Sequence, residues 1–454
     1  MAIEMVPNAS PDDLSEGRRL KALAALVLLW GITGGLHMSP WGALVVWVVT
    51  GLVALYMVRI AIANPIYAIS PNQSSLPNAL GMAALDPTAL SPEDCPQVSV
   101  LVAAKNEAAV IANLVDSLCS LNYPEDRYEL WVIDDNSNDG TGSILDRLAH
   151  EYPKLKVLHR GPEATGGKSG ALNLAWPRAT GELLAVFDAD ARVPANLLQH
   201  VVPLFANERT GAIQVRKSIV NSETNFWTQG QAAEMALDRY YQEQRAARCG
   251  IGELRGNGQF VRRTAIIQCG GWNEMTITDD LDLTVQLHLN QWNIGFLTTP
   301  PVGEEGVTSG IALWHQRNRW AEGGYQRYLD YWRLLLRNRL GWNKSIDMFM
   351  YWMLQYMLPI VALPDLIFAI ALRQSPVFAP LTTFAVGVSY WGMAMGIRRT
   401  QNISLPLAMV LAVKGTLYMT HWIVVMAFAT TRMAVRPKRL KWVKTIHDGE
   451  AASA

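Results

Sequence analysis

The sequence predicts an α/β domain on a mostly parallel, doubly wound sheet, set between membrane-spanning helices at the two ends of the chain. Three observations carry that expectation. Long apolar runs occupy both ends, short apolar or β-branched runs alternate with helical patterns in the middle, and acidic residues follow several of those short runs.

Composition sets the frame. Of 454 residues, 50% are apolar and 17% charged, and 39 basic side chains balance 39 acidic ones. A neutral chain has no global attraction to nucleic acid, and none is expected as a partner. The cysteines at 95, 119, 249 and 269 form no CxxC pair, and no histidine stands at zinc-ligand spacing. A disulfide framework and a structural zinc are therefore not expected, and a reducing compartment fits best.

A polar tail, residues 1–19, precedes the first apolar run, Leu20–Met38, which opens behind Arg18, Arg19 and Lys21; the second, Trp41–Ala63, follows the Ser39–Pro40 break. Each is close to the ~20 residues that cross a bilayer. The polar lead and the immediate second run argue against a cleaved signal peptide. The basic cluster places the N-terminus in the cytoplasm, and two crossings return the chain there. At the other end, Asp347–Leu372, Phe378–Met395 and Leu405–Thr430 are apolar, within a C-terminal membrane region spanning 345–430. Three crossings would put the basic tail, 431–454, outside. Lys414 and His421 therefore favour a last stretch that is re-entrant or broken, since such groups seldom face lipid.

Between the ends, 64–96 reads as a Ser-, Pro- and Asn-rich linker and 97–313 as the soluble domain. Val98–Ala103, Leu130–Asp134, Leu155–His159 and Leu183–Phe187 are expected strands, with helices over Glu107–Leu121, Thr141–Tyr152 and Ser169–Ala175. Sheets of this kind bind ligands beyond the carboxyl ends of their strands. There the sequence places Glu107, the Asp134–Asp135 pair, and Asp188-Ala189-Asp190. An acidic group after a strand is as often a cap as a ligand, and a lone DxD is weak. Three groups on one edge can offer carboxylates to Mg²⁺ or Mn²⁺ and, through it, to a diphosphate.

Gly166-Gly167-Lys168-Ser169-Gly170 resembles a P-loop, but position 162, where that motif needs glycine, is proline. A glycine-rich turn with Lys168 at a helix start can still serve phosphate oxygens. Thr278 is a plausible helix cap before Asp279 and Asp280. Within Trp314–Trp320, helical spacing puts Gln316, Arg319 and Trp320 on one face. A helix lying on the cytoplasmic leaflet is expected over Tyr325–Leu340, within an interfacial segment 314–344.

In order, Asp134–Asp135, Asp188-Ala189-Asp190, Thr278-Asp279-Asp280 and Gln316-Arg317-Asn318-Arg319-Trp320 make the chain resemble the membrane-bound family 2 glycosyltransferases, the group of cellulose, hyaluronan and chitin synthases. The family's Thr-Glu-Asp is here Thr-Asp-Asp, which keeps the acid. The resemblance implies a GT-A fold, a UDP-sugar donor, Mg²⁺ (or Mn²⁺) and inversion at the anomeric carbon. It implies that Glu107, Asp135, Lys168 and Asp188 bind the donor and that Asp188 and Asp190 hold the metal. Asp280 would be the general base, with Gln316, Arg319, Trp320, Asp279 and Trp272 at the diphosphate and acceptor.

A narrower resemblance is to the cyanobacterial monoglucosyldiacylglycerol synthases, carried by the compact length, the two-span N-terminus, Trp314–Gly324 and the ending Trp442–His447. It implies transfer of glucose from UDP-glucose to the 3-hydroxyl of 1,2-diacylglycerol, so a membrane lipid is the expected acceptor partner. The alternative is a processive polysaccharide synthase, disfavoured because few and mostly apolar spans make a poor polymer channel. An inactive sugar-nucleotide sensor would have lost acidic groups that are all present, and a transporter would not need so large an acidic soluble domain.

Overall fold

The computed structural model describes residues 17–63 and 95–436. Most of the N-terminal tail, the linker and the basic C-terminal tail lie outside the described residues.

The chain opens with a helical hairpin, α1 (Arg18–Met38) and α2 (Gly42–Ala61), both long and apolar enough to cross a membrane. Its two outer ends meet the central domain. Arg18 donates to Asp330 and to the Met275 carbonyl, and Gln244 donates to the carbonyls of Ile60, Ala61 and Ala63.

The central domain carries seven strands: β1 (Val98–Ala104), β2 (Tyr128–Asp134), β3 (Leu155–His159), β4 (Leu183–Phe187), β5 (Thr210–Ile219), β6 (Gln259–Arg262) and β7 (Asn293–Glu304). Their order is β3-β2-β1-β4-β6-β5-β7. The first four are the expected strands, all parallel; β6 runs antiparallel to both its neighbours, and β7 returns parallel to β5. Successive side chains point to opposite faces. Val98, Val100 and Val102 therefore enter one core with Leu130 and Phe187, while Leu101 enters the other with Ile133 and Val186. Burial on both faces is why these strands read as unbroken apolar runs.

Helices α3 (Ile111–Cys119), α4 (Thr141–Glu151) and α5 (Gly167–Ala175) lie near their expected positions; α3 is shorter because Glu107–Val110 turn before it. Further on come α6 (Leu197–Val201), α7 (Phe226–Ala246), α8 (Arg263–Cys269), α9 (Asp279–Leu289) and α10 (Gly310–Leu336). Helix α10 departs from expectation in its first part. The motif Trp314–Trp320 and the segment after it form one 27-residue helix, in which Tyr325, Arg327, Tyr328, Leu329 and Tyr331 are all buried. Over Tyr325–Tyr331 the alternation of aromatic and basic residues that reads as a leaflet surface is enclosed by protein, with Arg327 paired to Glu253, whereas Trp332, Arg333 and Leu336 beyond it are exposed.

After α10, α11 (Trp342–Trp352), a π-turn over Met353–Met357 and α12 (Leu358–Leu372) make a 31-residue apolar rod. Then follow α13 (Ala379–Gln401), α14 (Leu405–Met419) and α15 (His421–Val435). The last stretch, expected to be re-entrant or broken, is helical on both sides of a turn at Thr420. Thr420 keeps right-handed helical backbone (φ −60°, ψ −24°), and together α14 and α15 are long and apolar enough to cross a membrane. Lys414 and His421 are accommodated otherwise: the Lys414 ammonium meets Gln229 of α7, and His421 Nδ1 lies 2.6 Å from the Tyr418 carbonyl. In all, four helices are long and apolar enough to cross a membrane among the described residues.

Candidate active site

The carboxyl ends of β1, β2 and β4 open into one cavity of about 970 Å³. Glu107, Asp135, Lys168, Asp188, Asp190, Asp279, Asp280, Gln316, Arg319 and Trp320 all line it. Trp272 does not. It is 2% exposed and packs in the core under the sheet with Leu172 and Leu283, its backbone held on both sides by Asn173. A role for Trp272 at the acceptor is thereby overturned.

The first two loops are laced together. The Asn106 and Glu107 N–H groups donate to Ser137 and Thr141, and the Asn138 N–H donates to the Asn106 side chain. Asn106 and Asn136 both take left-handed backbone (φ 57°), which asparagine tolerates better than most residues. Asp135 is fixed by Arg160 (2.6 Å), with Lys105 at 3.6 Å.

Lys168 sits in the first turn of α5, behind Gly166 and Gly167, both at positive φ. Its ammonium reaches Asp188 Oδ1 at 2.5 Å. Burial disfavours its charge, yet Asp188, Asp279 and Asp280 together raise its pKa. Asp190 shows the reverse stress: burial, Asp188 and Glu304 push it up to about 7. Burial is the main cause and the two neighbouring carboxylates add to it, a stress that a divalent cation beside Asp190 would relieve. No group of three or more His, Cys, Asp or Glu is disposed to hold a metal among the described residues. Asp188 and Asp190 line the cavity as carboxylates of the kind that hard divalent cations take as ligands.

Asp279 and Asp280 open α9, where three acids in the first turn complement the helix dipole. Thr278 stands at the N-cap position, but its hydroxyl makes no capping bond. Gly323 of α10 presses on it instead: a Cβ there would lie 2.3 Å from Thr278 Oγ1. Burial first, and then Asp279, raise the pKa of Asp280, while Lys168 and Arg255 pull it back. A carboxylate kept basic in this way is suited to taking a proton.

The Gln316 face is held from behind by a residue that the spacing of the motif does not single out. Arg317 is fully buried, bonds Glu234 at 2.5 Å and Tyr418 at 3.0 Å, and lies 4.0 Å from the Trp320 ring centroid. Burial lowers the pKa of neighbouring Arg319, against the pull of Asp188. Glu304 and Glu305 at the end of β7 also line the cavity and escape sequence reasoning, because that strand is interrupted by two prolines.

Residues 99–270 match the family described as glycosyl transferase family 2. The chain is also 52% identical over 447 residues to a beta-monoglucosyldiacylglycerol synthase of Synechocystis sp., covering 97% of this chain and 90% of that one. The chain belongs to glycosyl transferase family 2. A second beta-monoglucosyldiacylglycerol synthase, from Trichormus variabilis, is likewise 52% identical, over 96% of this chain and 90% of its own length. Among solved structures, the mannosyltransferase PcManGT from Pyrobaculum calidifontis, in complex with GDP-Man and Mn²⁺, superposes with a TM-score of 0.51. It is 20% identical and covers 93% of this chain and 100% of that one, a likeness of fold. For this family 2 member, the expected GT-A fold flanked by apolar helices is the fold observed.

Proposed function

We propose that this chain transfers glucose from UDP-glucose to the 3-hydroxyl of 1,2-diacylglycerol with inversion, giving a β-monoglucosyl lipid at the cytoplasmic face of a membrane. One observation carries the reading. The cavity floored by the acidic groups continues without interruption between the apolar helices, where Met57, Leu354, Leu358, Phe384 and Ile423 line it. A water-soluble sugar nucleotide and a membrane lipid can thus meet at Asp280.

The chemistry is a single displacement. The acceptor oxygen forms a bond to the anomeric carbon as the bond to the diphosphate oxygen breaks; the hydroxyl proton passes to Asp280 and UDP leaves. One base and no covalent intermediate suffice. Glu107 and Asp135 hold the nucleoside end, with Lys168 beside the diphosphate. Arg319 faces the charge that grows on the leaving oxygen, so its stabilisation is strongest as the bond breaks. A Mg²⁺ or Mn²⁺ ion held by Asp188 and Asp190 would supply further positive charge to the diphosphate. The names of the two cyanobacterial relatives support glucose and a diacylglycerol product. The basic residues Arg18, Arg19 and Lys21 at the start of α1, on the same side as the catalytic domain, support the cytoplasmic orientation.

The test is purified full-length protein with labelled UDP-glucose or UDP-galactose and diacylglycerol vesicles. A single-sugar lipid from UDP-glucose, lost on chelation of divalent ions, is expected. A high-molecular-weight product formed without added lipid would overturn the reading in favour of a polymer.

A further inference from the structure

We infer that a slot between two groups of membrane helices holds the acyl chains of the diacylglycerol, and that the Gln355 amide grips its ester region. The inference rests on the lipid-acceptor reading above and specifies where that acceptor sits.

The two groups are distinct in their packing. Helix α12 packs on α1 and α15, whereas α13 packs on α2, α7 and α14. They are clipped together where Asp365 of α12 accepts the N–H groups of Val377 (2.8 Å) and Phe378 (3.1 Å), just before α13. Between the groups the cavity extends from the acidic floor, lined by Leu354, Leu358 and Ala362 on one side and Ala385 on the other, with Ile423 and Met426 of α15. These largely aliphatic walls, with Thr382 and Ser389 as their polar members on α13, suit hydrocarbon chains.

The polar contact comes from the π-turn. Such turns are rare, and they recur at functional sites because they re-aim side chains. Here the turn sends Tyr356 into the protein, stacked on Tyr325 with 6.0 Å between ring centroids, and leaves Gln355 exposed on the cavity wall. No hydrogen-bond partner meets the Gln355 amide among the described residues. A polar side chain in an apolar helix usually marks a substrate path, because its hydrogen bonds must be satisfied by something.

Position supports the assignment. Tyr351, one turn earlier on the same rod, accepts from Arg255 at 3.1 Å. Arg255 adjoins Gly256, where a Cβ would lie 3.6 Å from Asp280 Oδ2. The amide therefore stands one helical turn beyond a residue that contacts the surroundings of the base. A glycerol whose free hydroxyl meets Asp280 would present its ester carbonyls towards Gln355, whose N–H groups can donate to them, and its chains to the slot.

The experiment compares wild type with Gln355→Leu and Ala385→Trp, assayed on UDP-glucose with long-chain diacylglycerol and with the dioctanoyl form. Gln355→Leu should raise the KM for both acceptors about five- to tenfold, the scale of one lost hydrogen bond, with the KM for UDP-glucose unchanged. Ala385→Trp should suppress long-chain transfer more than dioctanoyl transfer. Wild-type protein that makes no glucolipid rejects the lipid-acceptor reading itself. Wild type that makes it, while both variants keep wild-type acceptor kinetics, overturns the slot alone. Because a variant can fail to fold, wild type is also irradiated with a diacylglycerol carrying a diazirine in one acyl chain. Crosslinks at Leu354, Leu358, Ala385 or Ile423 support the slot; crosslinks confined to outward-facing Leu363, Ile367 or Ile370 overturn it.

Discussion

Replacing Glu253 with alanine removes a carboxylate shared by three guanidinium groups at the junction of the catalytic domain and the membrane helices. Glu253 bonds Arg327 at 2.6 Å, Arg255 at 2.9 Å and Arg245 at 3.3 Å, and its side chain is 0% exposed. Burial opposes its charge, but Arg255, Arg327 and Arg245 hold its carboxyl far below the ordinary glutamate value. After truncation Arg255 keeps Asp238 at 2.8 Å, while Arg245 and Arg327 are left facing the Tyr351 ring at 4.8 and 5.4 Å. Aromatic contact does not replace a buried counter-charge, so the expected loss is about 3–5 kcal/mol, the cost of breaking a buried pair from one side. Thermal and denaturant unfolding in detergent measure it. Lys156→Ala, which cuts a bridge to Glu129 from a side chain 46% exposed, serves as control and should cost less than about 1 kcal/mol. The Glu253 contribution is fully present above the unfolded pKa of about 4.3 and is lost as pH falls towards the depressed native value. A Glu253→Ala protein within about 1 kcal/mol of wild type at neutral pH would refute the argument, since two unpaired buried guanidiniums cannot cost so little.

Three further outcomes follow from the site. Asp280→Asn should lower transfer by about 10²–10⁴-fold with UDP binding kept, the range for loss of a general base. Because burial and Asp279 raise the native pKa of Asp280, its ionisation disfavours the fold as pH rises, so the same variant should melt no lower than wild type at neutral pH. The acid limb of kcat/KM should rise at a pH clearly above the ordinary aspartate value of about 3.9, and a limb at that value would remove Asp280 from the role. Gly323→Ala should cost at least tenfold in kcat, since its Cβ would lie 2.3 Å from Thr278 Oγ1 and the only relief is to shift the helix start that carries Asp279 and Asp280. Wild-type kinetics in that variant would show that the α9 start tolerates displacement. Asp190→Asn should raise the metal concentration needed for half-maximal activity at least tenfold, measured by titrating Mg²⁺ or Mn²⁺ into chelated protein.

Much of this protein is legible from local pattern. The parallel strands β1, β2 and β4 are buried on both faces, so their apolar runs stand out, and the acids behind them mark the ligand edge by a rule of topology. The apolar hairpin of α1 and α2 needs only length and composition. The later strands were hidden for a physical reason: β7 carries Pro300 and Pro301 and lies at the edge of the sheet, where missing ladder bonds are tolerated. Glu304 and Glu305 were hidden with it.

What tertiary structure alone decided is how buried charge is paired and which space is continuous. Arg317, Arg327 and Glu253 look like ordinary helix or loop charges in one dimension, because Arg317 pairs with a residue 83 positions away and Arg327 and Glu253 pair with each other across 74. Helix α10 reads as a membrane-surface element over Tyr325–Leu340, and only the packing shows that its part up to Tyr331 is buried. Trp272, an aromatic six residues before Thr278, belongs to the core and not to the cavity. The acidic floor comes from the central domain and the apolar slot chiefly from the C-terminal helices. Sequence periodicity reports how each helix divides apolar from polar, but only packing decides that one empty volume joins them.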